Sequence, residues 1–338
     1  MFDVDSAAMF ASRQFLITGG TGFIGRHVVH RLLARGARVR LFCRTPEKAQ
    51  RLFGDRAGIA RGDLRDRASV VAAMPGCEAV IHLGAAFQFG RKVRRINEET
   101  NVSGTKYLLE AGERIGIQRF VHVGSCGVLE GRHDLLTERD FPRHVGIRES
   151  YRHSKWLSEM AALEAASRGL PVTIASPTSP LGAGDEKPTP TGRIVRDYLH
   201  GLFPFGAHVG LNFVHVEDLA EGILAVAERG RTGERYLLGH HNVWLDEFLH
   251  VLARITDRPA PRLSLPQAAI TLAGAVGEVT GSERVCWETA AHARRRQWFD
   301  FSKAAAELGW SARAPLDAIA DESVRWFQAW QNRTRVSC

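Results

Sequence analysis

The chain reads as a doubly wound α/β protein, a parallel sheet with helices on both faces, followed by a smaller, mostly helical region. Three observations predict this. Strand-like and helix-like segments alternate from residue 15 to about residue 176, as in a parallel sheet wound by crossover helices. The stretch 79–83 (AVIHL) is the near-continuous apolar run that a strand buried on both faces requires. Near the start, Phe15, Leu16 and Ile17 lead into Gly19-Gly20-Thr21-Gly22-Phe23-Ile24-Gly25. Apolar residues then recur with helical spacing at Ile24, Val28 and Leu32.

The remaining elements follow in order. Residues 39–43 form a second strand, and a short apolar stretch ends in Gly62-Asp63-Leu64. After the strand 79–83 come a helix over 101–111 and strands over 120–123 and 172–175. Residues 177–192 hold four prolines and three glycines and read as a long loop, with a functional or lid role. A strand over 211–216, a helix over 217–228 and a strand over 236–238 come next. An amphipathic helix over 245–256 is broken by Pro259-Ala260-Pro261. The apolar, small-residue stretch 266–279 is too short to span a bilayer. It reads as a lid or pocket-wall helix, a membrane-surface helix being the other reading. The domain expectation is a sheet domain over 12–178, completed by about 211–240, with 179–210 and 241–335 forming the substrate-binding region and lid.

Bulk properties narrow the class. The 338 residues are 44% hydrophobic and 24% charged, which suits a globular protein and argues against a disordered one. No apolar run of roughly 18 residues exists, so no membrane span is expected. Residues 1–12 carry Asp3 and Asp5 without an apolar core, and read as a short frayed extension rather than a signal peptide. The cysteines, at 43, 77, 126, 286 and 338, are odd in number and none are spaced Cys-x-x-Cys. A disulfide framework or metal site is not expected, and a reducing cytoplasm fits. The net charge is +8, yet the clusters Arg91/Lys92/Arg94/Arg95 and Arg294/Arg295/Arg296 are short and accompany no nucleic-acid motif. Scattered solvated arginines, not nucleic-acid binding, are expected; attraction for an anionic ligand or an acidic lipid surface stays open.

The glycine turn carries the first functional signal. Glycines at 19, 22 and 25 let the backbone turn tightly and approach a pyrophosphate, while the following helix offers unpaired N–H groups and its positive end. Strand before and helix after are the context that a Rossmann-type dinucleotide site needs. Tyr151 and Lys155 lie four apart in a segment of helical periodicity, so both fall on one face. An ammonium beside a phenol lowers the phenol's pKa and suits it to proton transfer near neutral pH. Such pairs are also common on solvated helices. Ser125 lies just past the strand 120–123, at the carboxyl end of the sheet, where ligands bind in open α/β folds. Alone it reads as a turn former; glycine turn, Ser125 and Tyr151/Lys155 in this order read as a site.

These residues, with Gly62-Asp63-Leu64, His82-Leu83-Gly84-Ala85-Ala86, Asn101-Val102-Ser103-Gly104-Thr105 and the segment 212–218 (NFVHVED), give a chain that resembles the extended short-chain dehydrogenase/reductases over nearly its whole length. Within them it is most similar to the dihydroflavonol reductase-like and hopanoid-associated sugar epimerase proteins, on the stretches 177–185, 187–193 and 233–239. The resemblance implies that Tyr151 is the general acid/base, Lys155 binds the nicotinamide ribose and tunes Tyr151, Ser125 hydrogen-bonds the reacting oxygen, and Asn101 supports a proton path. It implies a cofactor site of Gly19, Thr21, Gly22, Phe23, Ile24, Gly25, Arg44, Asp63, Leu64, Leu83, Ala85, Ala86, Lys155 and Pro177. Phe87, Cys126, Ser179, Arg193 and Asn212 are the candidate substrate residues. Cys126 stands where relatives often carry a second hydroxyl, and plain packing is its other reading. Many relatives are dimers, and a homodimer is the analogy.

No carboxylate stands at the end of the second strand (Leu41-Phe42-Cys43-Arg44-Thr45), where NAD-preferring enzymes place one for the ribose hydroxyls. Arg44 could pair with a 2′-phosphate, which favours NADP(H) over NAD(H); it could also stack on adenine. Leu211 stands where nucleotide-sugar epimerases of this family carry an arginine for the diphosphate, and losing that clamp loses charge-assisted hydrogen bonds. Lys187 and Arg193 could still hold an anion from the loop. The expected function is NAD(P)(H)-dependent hydride transfer to or from a ketone or secondary alcohol of a small, hydrophobic or lipid-like substrate. A sugar epimerase or dehydratase is the alternative, and a non-catalytic NAD(P)-binding regulator the remote one.

Overall fold

The computed structural model describes residues 10–89, 91–131, 133–146, 149–203, 205–261, 263–280, 290–291, 293 and 296–336. Most of the expected N-terminal extension, Cys286, Cys338, Arg294 and Arg295 lie outside the described residues. The first half alternates as expected: β1 (Gln14–Thr18), α1 (Phe23–Ala34), β2 (Arg38–Cys43), α2 (Pro46–Phe53), β3 (Gly58–Arg61), α3 (Arg67–Ala73), β4 (Ala79–His82), α4 (Arg94–Asn97), α5 (Gly104–Ile115), β5 (Arg119–Val123), α6 (Ser150–Ser167) and β6 (Val172–Pro177). The second half holds β7 (Ser179–Leu181), α7 (Pro190–Leu199), β8 (Gly206–Ala207), β9 (Gly210–His215), α8 (Val216–Arg229), β10 (Arg235–Leu238), β11 (His241–Trp244), α9 (Leu245–Thr256), β12 (Ser264–Leu265), α10 (Gln267–Thr280), α11 (Ser302–Leu308) and α12 (Leu316–Val336).

The large sheet has seven strands in the order β3-β2-β1-β4-β5-β6-β10, and every neighbouring pair is parallel. The strand order reverses between β1 and β4, and that switch point opens the crevice where open α/β sheets bind ligands. Side chains alternate between the two faces. Phe15, Ile17, Val121 and Val123 join α1 and α8 in one core, while Leu16, Val80 and Phe120 join α3, α5 and α6 in the other. A third core packs α7, α9 and α12 around Leu181 and Phe213.

Three expectations are corrected. The strand expected at 211–216 does not extend the large sheet: β9 pairs parallel with β7 and antiparallel with β11 in a separate three-stranded sheet. Beside β6 the edge is taken by β10, whose four residues are all buried. The stretch 177–192 is not all loop. It contains β7, and Pro190 opens α7, where its missing N–H costs nothing and Thr189 caps the turn by accepting from the Gly192 N–H at 3.1 Å. The helix expected over 101–111 is α-helical only from Gly104 to Ile115, and residues 101–103, Asn101 among them, belong to a π-helical turn at Glu98–Ser103. Such widened turns concentrate at functional sites.

Candidate active site

Glycine builds the crevice. Gly19 has φ +71°, and a Cβ there would stand 2.7 Å from the Gly84 nitrogen, so the turns after β1 and β4 meet backbone against backbone. A Cβ on Gly25 would overlap the Gly19 carbonyl. Gly22 caps α1 without a side chain, which leaves the first-turn N–H groups of the helix for an anion. A pyrophosphate fits this cradle, because the space a side chain would fill is kept empty by residue type.

Beneath the cradle runs one directed chain of hydrogen bonds. The Thr105 hydroxyl donates to the Asn101 carbonyl at 2.5 Å, so Thr105 must accept from His82 Nε2 at 3.0 Å. That fixes the proton on Nε2 and makes Nδ1 the acceptor of the Thr18 hydroxyl at 2.6 Å. Thr18 in turn accepts from the Gly84 N–H at 3.0 Å. His82 is buried, and burial first, then the Lys155 charge, pushes its pKa down to about 3, so it stays neutral. The functional hint was a histidine inside an otherwise apolar strand.

The expected proton-transfer residues gather at the ends of β5 and α6. Lys155 is buried and its Nζ donates to the Val123 carbonyl at 2.6 Å, tying α6 to the last residue of β5. Burial pushes its pKa down to about 8, against the opposing field of Glu159. Two residues beyond Val123, the Ser125 Oγ accepts from the Gly127 N–H at 3.2 Å, which leaves its own O–H to donate elsewhere. Tyr151, in the first turn of α6, is half-buried with its ring edge-on to Phe87 and Phe89, at centroid distances of 4.5 and 5.7 Å. Asn101 holds Ala86 through both backbone groups and donates to Ser154 Oγ at 2.9 Å. The buried Arg152 was absent from the sequence-based set. It donates to the carbonyls of Gly127 and Val128 at 2.9 and 3.1 Å and pairs with Glu130 at 2.6 Å, which fixes the loop after Ser125.

Residues 15–239 match the NAD dependent epimerase/dehydratase family. The chain belongs to this family. A dihydroflavonol 4-reductase-like protein of Synechocystis is 34% identical over 93% of this chain and 94% of the relative. The 4-hydroxy-2-methyl-3-oxo-4-farnesyl-3,4-dihydroquinoline-1-oxide ketoreductase of Stigmatella aurantiaca is 31% identical over 78% of this chain and 79% of the relative. Among solved structures, a nucleoside-diphosphate-sugar epimerase from Pseudomonas aeruginosa superposes with a TM-score of 0.80 at 26% identity, covering 94% of this chain and 98% of that one. This epimerase/dehydratase-family chain is an enzyme of the extended short-chain dehydrogenase/reductase type, and the family's cofactor is a nicotinamide dinucleotide.

The residues expected at the adenosine end carry charges of both signs. Arg44 is exposed. Asp63 is gripped by Arg65 through Nη2 at 2.7 Å and Nε at 3.1 Å, and chiefly this bond, with Arg44 adding to it, holds its carboxyl below the usual range. Leu64 is buried between Gly84 and Gly104, where Cβ atoms would stand 2.9 and 2.8 Å from it. Thr21, Phe23, Ile24 and Leu83 are half-buried around the glycine turn, and Ala85 and Ala86 follow β4. Pro177 closes β6 beside Leu238.

The candidate substrate residues scatter. Phe87 is exposed, Ser179 opens β7 and Arg193 lies in the first turn of α7. Arg193 faces Asp185, whose carboxyl burial pushes up to about 6. Asn212 is buried with both ends of its amide in use: Nδ2 donates to Asn242 at 2.7 Å, and Oδ1 accepts from the His240 N–H at 3.2 Å. Cys126 packs with Val128, Leu129 and Leu237, and burial pushes its thiol up to about 12. Among the described residues no group of His, Cys, Asp or Glu is arranged to hold a metal, and no helix is long and apolar enough to cross a membrane.

Proposed function

We propose that the chain transfers a hydride between a nicotinamide cofactor and a ketone or secondary alcohol of a small hydrophobic, lipid-like substrate, with Tyr151 as general acid/base. The observation that carries this reading is Lys155: a buried lysine, anchored on the last residue of β5, one helical turn from Tyr151 and beside Ser125. The positive charge lowers the pKa of the neighbouring phenol and prepares it to pass a proton to or from the substrate oxygen. The Ser125 hydroxyl, with its lone pair engaged by Gly127, donates to that oxygen. The nicotinamide, when bound, supplies or accepts the hydride. Gly19, Gly22 and Gly25 hold the pyrophosphate, Asp63 and Leu64 lie at the adenine, and Ala85 lines the ribose.

Apolar surroundings support a hydrophobic substrate. Tyr151 is walled by Phe87 and Phe89, and Leu211 on β9, by the family resemblance the counterpart of a diphosphate-clamping arginine, offers no charge. The exposed Leu202, Phe205, Leu263, Leu272 and Val276 suit delivery from a lipid surface. The Stigmatella ketoreductase, by its name, acts on a farnesylated ketone. NADP(H) is favoured because Arg44 is exposed and Asp63 is already bound by Arg65, and a cytoplasmic enzyme fits the free Cys43, Cys77 and Cys126. The likeness to the Pseudomonas epimerase favours a second reading, a sugar epimerase or dehydratase whose cofactor stays bound.

Purified protein separates the two. Freely exchanging NADPH, oxidised stoichiometrically by an apolar ketone, is the expected result. Tightly retained NAD, with no net oxidation in the presence of a sugar substrate, selects the second reading. Full turnover by Tyr151→Phe overturns both.

A further inference from the structure

Behind the lysine lies a second buried ion. Glu159 follows Lys155 by one turn of α6 and is 0% exposed. Its Oε1 accepts from Arg235 Nε at 3.1 Å and from the Ser176 hydroxyl at 3.3 Å. Arg235 arrives from β10, 76 residues later, with its guanidinium 3.9 Å from the centre of the Phe141 ring and one N–H on the Glu138 carbonyl at 3.3 Å. Gly124, next to Ser125, makes room for the carboxylate: a Cβ there would stand 2.5 Å from Glu159 Oε1. Burying such a pair costs desolvation that its own attraction rarely exceeds, so stability alone gives little reason for it. The pair is also incompletely bonded, since Glu159 Oε2 and Arg235 Nη2 are buried with no hydrogen-bond partner among the described residues.

We propose that Glu159 is a positioning residue of the active site: its buried carboxylate, steadied by Arg235 from the last strand of the sheet, is the counter-ion that holds Lys155 as an ammonium at the end of β5. The proposal rests on the reading that Lys155 acts there with Tyr151. Around Lys155 the buried charges are Lys155, Arg235 and Arg152, all positive, and Glu159, negative; Arg152 is paired with Glu130 at 2.6 Å and Glu149 at 3.4 Å. A Tyr151 phenolate faces the Lys155 ammonium, and Glu159, one turn behind, is the charge that supports that ammonium. Two carboxylates would repel the phenolate, and none would expel the lysine's proton. The other groups packed there do not change the count. His82 on β4 and His122 on β5 are held neutral by burial. Ser158 and Ser176 are uncharged, and the Glu138 carboxyl is turned to the Leu237 N–H at 2.8 Å and pushed up by burial.

The lysines stand at 48, 92, 106, 155, 187 and 303, so the Lys155 side chain can be followed by NMR in lysine-labelled protein without substrate, its signal identified by Lys155→Arg. The wild type is expected to titrate near pH 8. Glu159→Gln lowers that midpoint by about one pH unit or more, and Glu159→Asp restores it. The double variant Glu159→Gln/Arg235→Met removes both buried charges and recovers thermal stability while the low midpoint persists. An unmoved midpoint in Glu159→Gln, or a wild-type midpoint in the double variant, overturns the proposal and leaves Glu159 a structural partner of Arg235. If Glu159→Gln alone does not fold, the double variant carries the titration. Turnover by Tyr151→Phe tests the chemistry and leaves this titration untouched, so the two readings fail separately.

Discussion

Asn101 holds Ala86 by both of its backbone groups: Oδ1 accepts from the Ala86 N–H at 2.7 Å, and Nδ2 donates to the Ala86 carbonyl at 3.0 Å. The amide acts as one more rung beyond the end of β4 and fixes the loop that carries Phe87 against Tyr151. The π-helical turn at Glu98–Ser103 sets the side chain at this depth. Asn101→Leu removes two part-buried hydrogen bonds to Ala86, a loss of about 0.5–1.5 kcal/mol for each. Chemical denaturation should show the loss, and cofactor titration a weaker affinity.

Tyr151→Phe keeps the ring contacts with Phe87 and Phe89 and removes only the hydroxyl. Turnover should fall by about 10²–10⁴-fold, the usual worth of a general acid/base, while melting temperature and cofactor dissociation constant stay near wild type.

Arg44→Asp places a carboxylate at the end of β2, where it accepts from ribose hydroxyls and repels a 2′-phosphate. The ratio of kcat/KM for NADPH over NADH should invert. An unchanged ratio shows that Arg44 does not read the phosphate.

His82 ties acid stability to the crevice floor. Its folded pKa of about 3 lies below the ordinary 6.5. Between those values the unfolded chain takes up a proton that the folded chain refuses. The stability from this group is therefore complete above pH 6.5 and is lost as the pH falls toward 3. Urea melts of His82→Gln from pH 7 to pH 4 should show a shallower loss than the wild type, though not a flat one, because His122 is also buried neutral.

What was legible in the sequence was what local chemistry marks. The glycine turn, Ser125 and the Tyr151/Lys155 spacing are each written in a few adjacent residues, and the amphipathic helix over 245–256 has the bounds its periodicity predicts. Pro190 misled because proline both breaks helices and starts them, and only the cap by Thr189 decides which. The sheet that β9 joins depends on β7 and β11, which no local pattern of β9 encodes. Glu159 continues the spacing of four from Tyr151 and Lys155, yet nothing near it announces a buried charge. Its surroundings come from β6 and β10. Asn212 has the residue type for a substrate contact, and its bonds to Asn242 and His240, which the β9–β11 register sets, lie outside what its local sequence shows.

The bond between Glu159 and Arg235 also sets an order of assembly. Strands β1 to β6 are contiguous neighbours in the sheet and come first in the chain, while α8, which shares their core, comes later. The seventh strand docks only after the chain has made β7, α7, β9 and α8 and returned to the edge of β6. Closing so long a loop is slow. Until it closes, Glu159 faces an open sheet edge without its cation. Glu159 therefore acquires its cation only when the last strand of the sheet is in place.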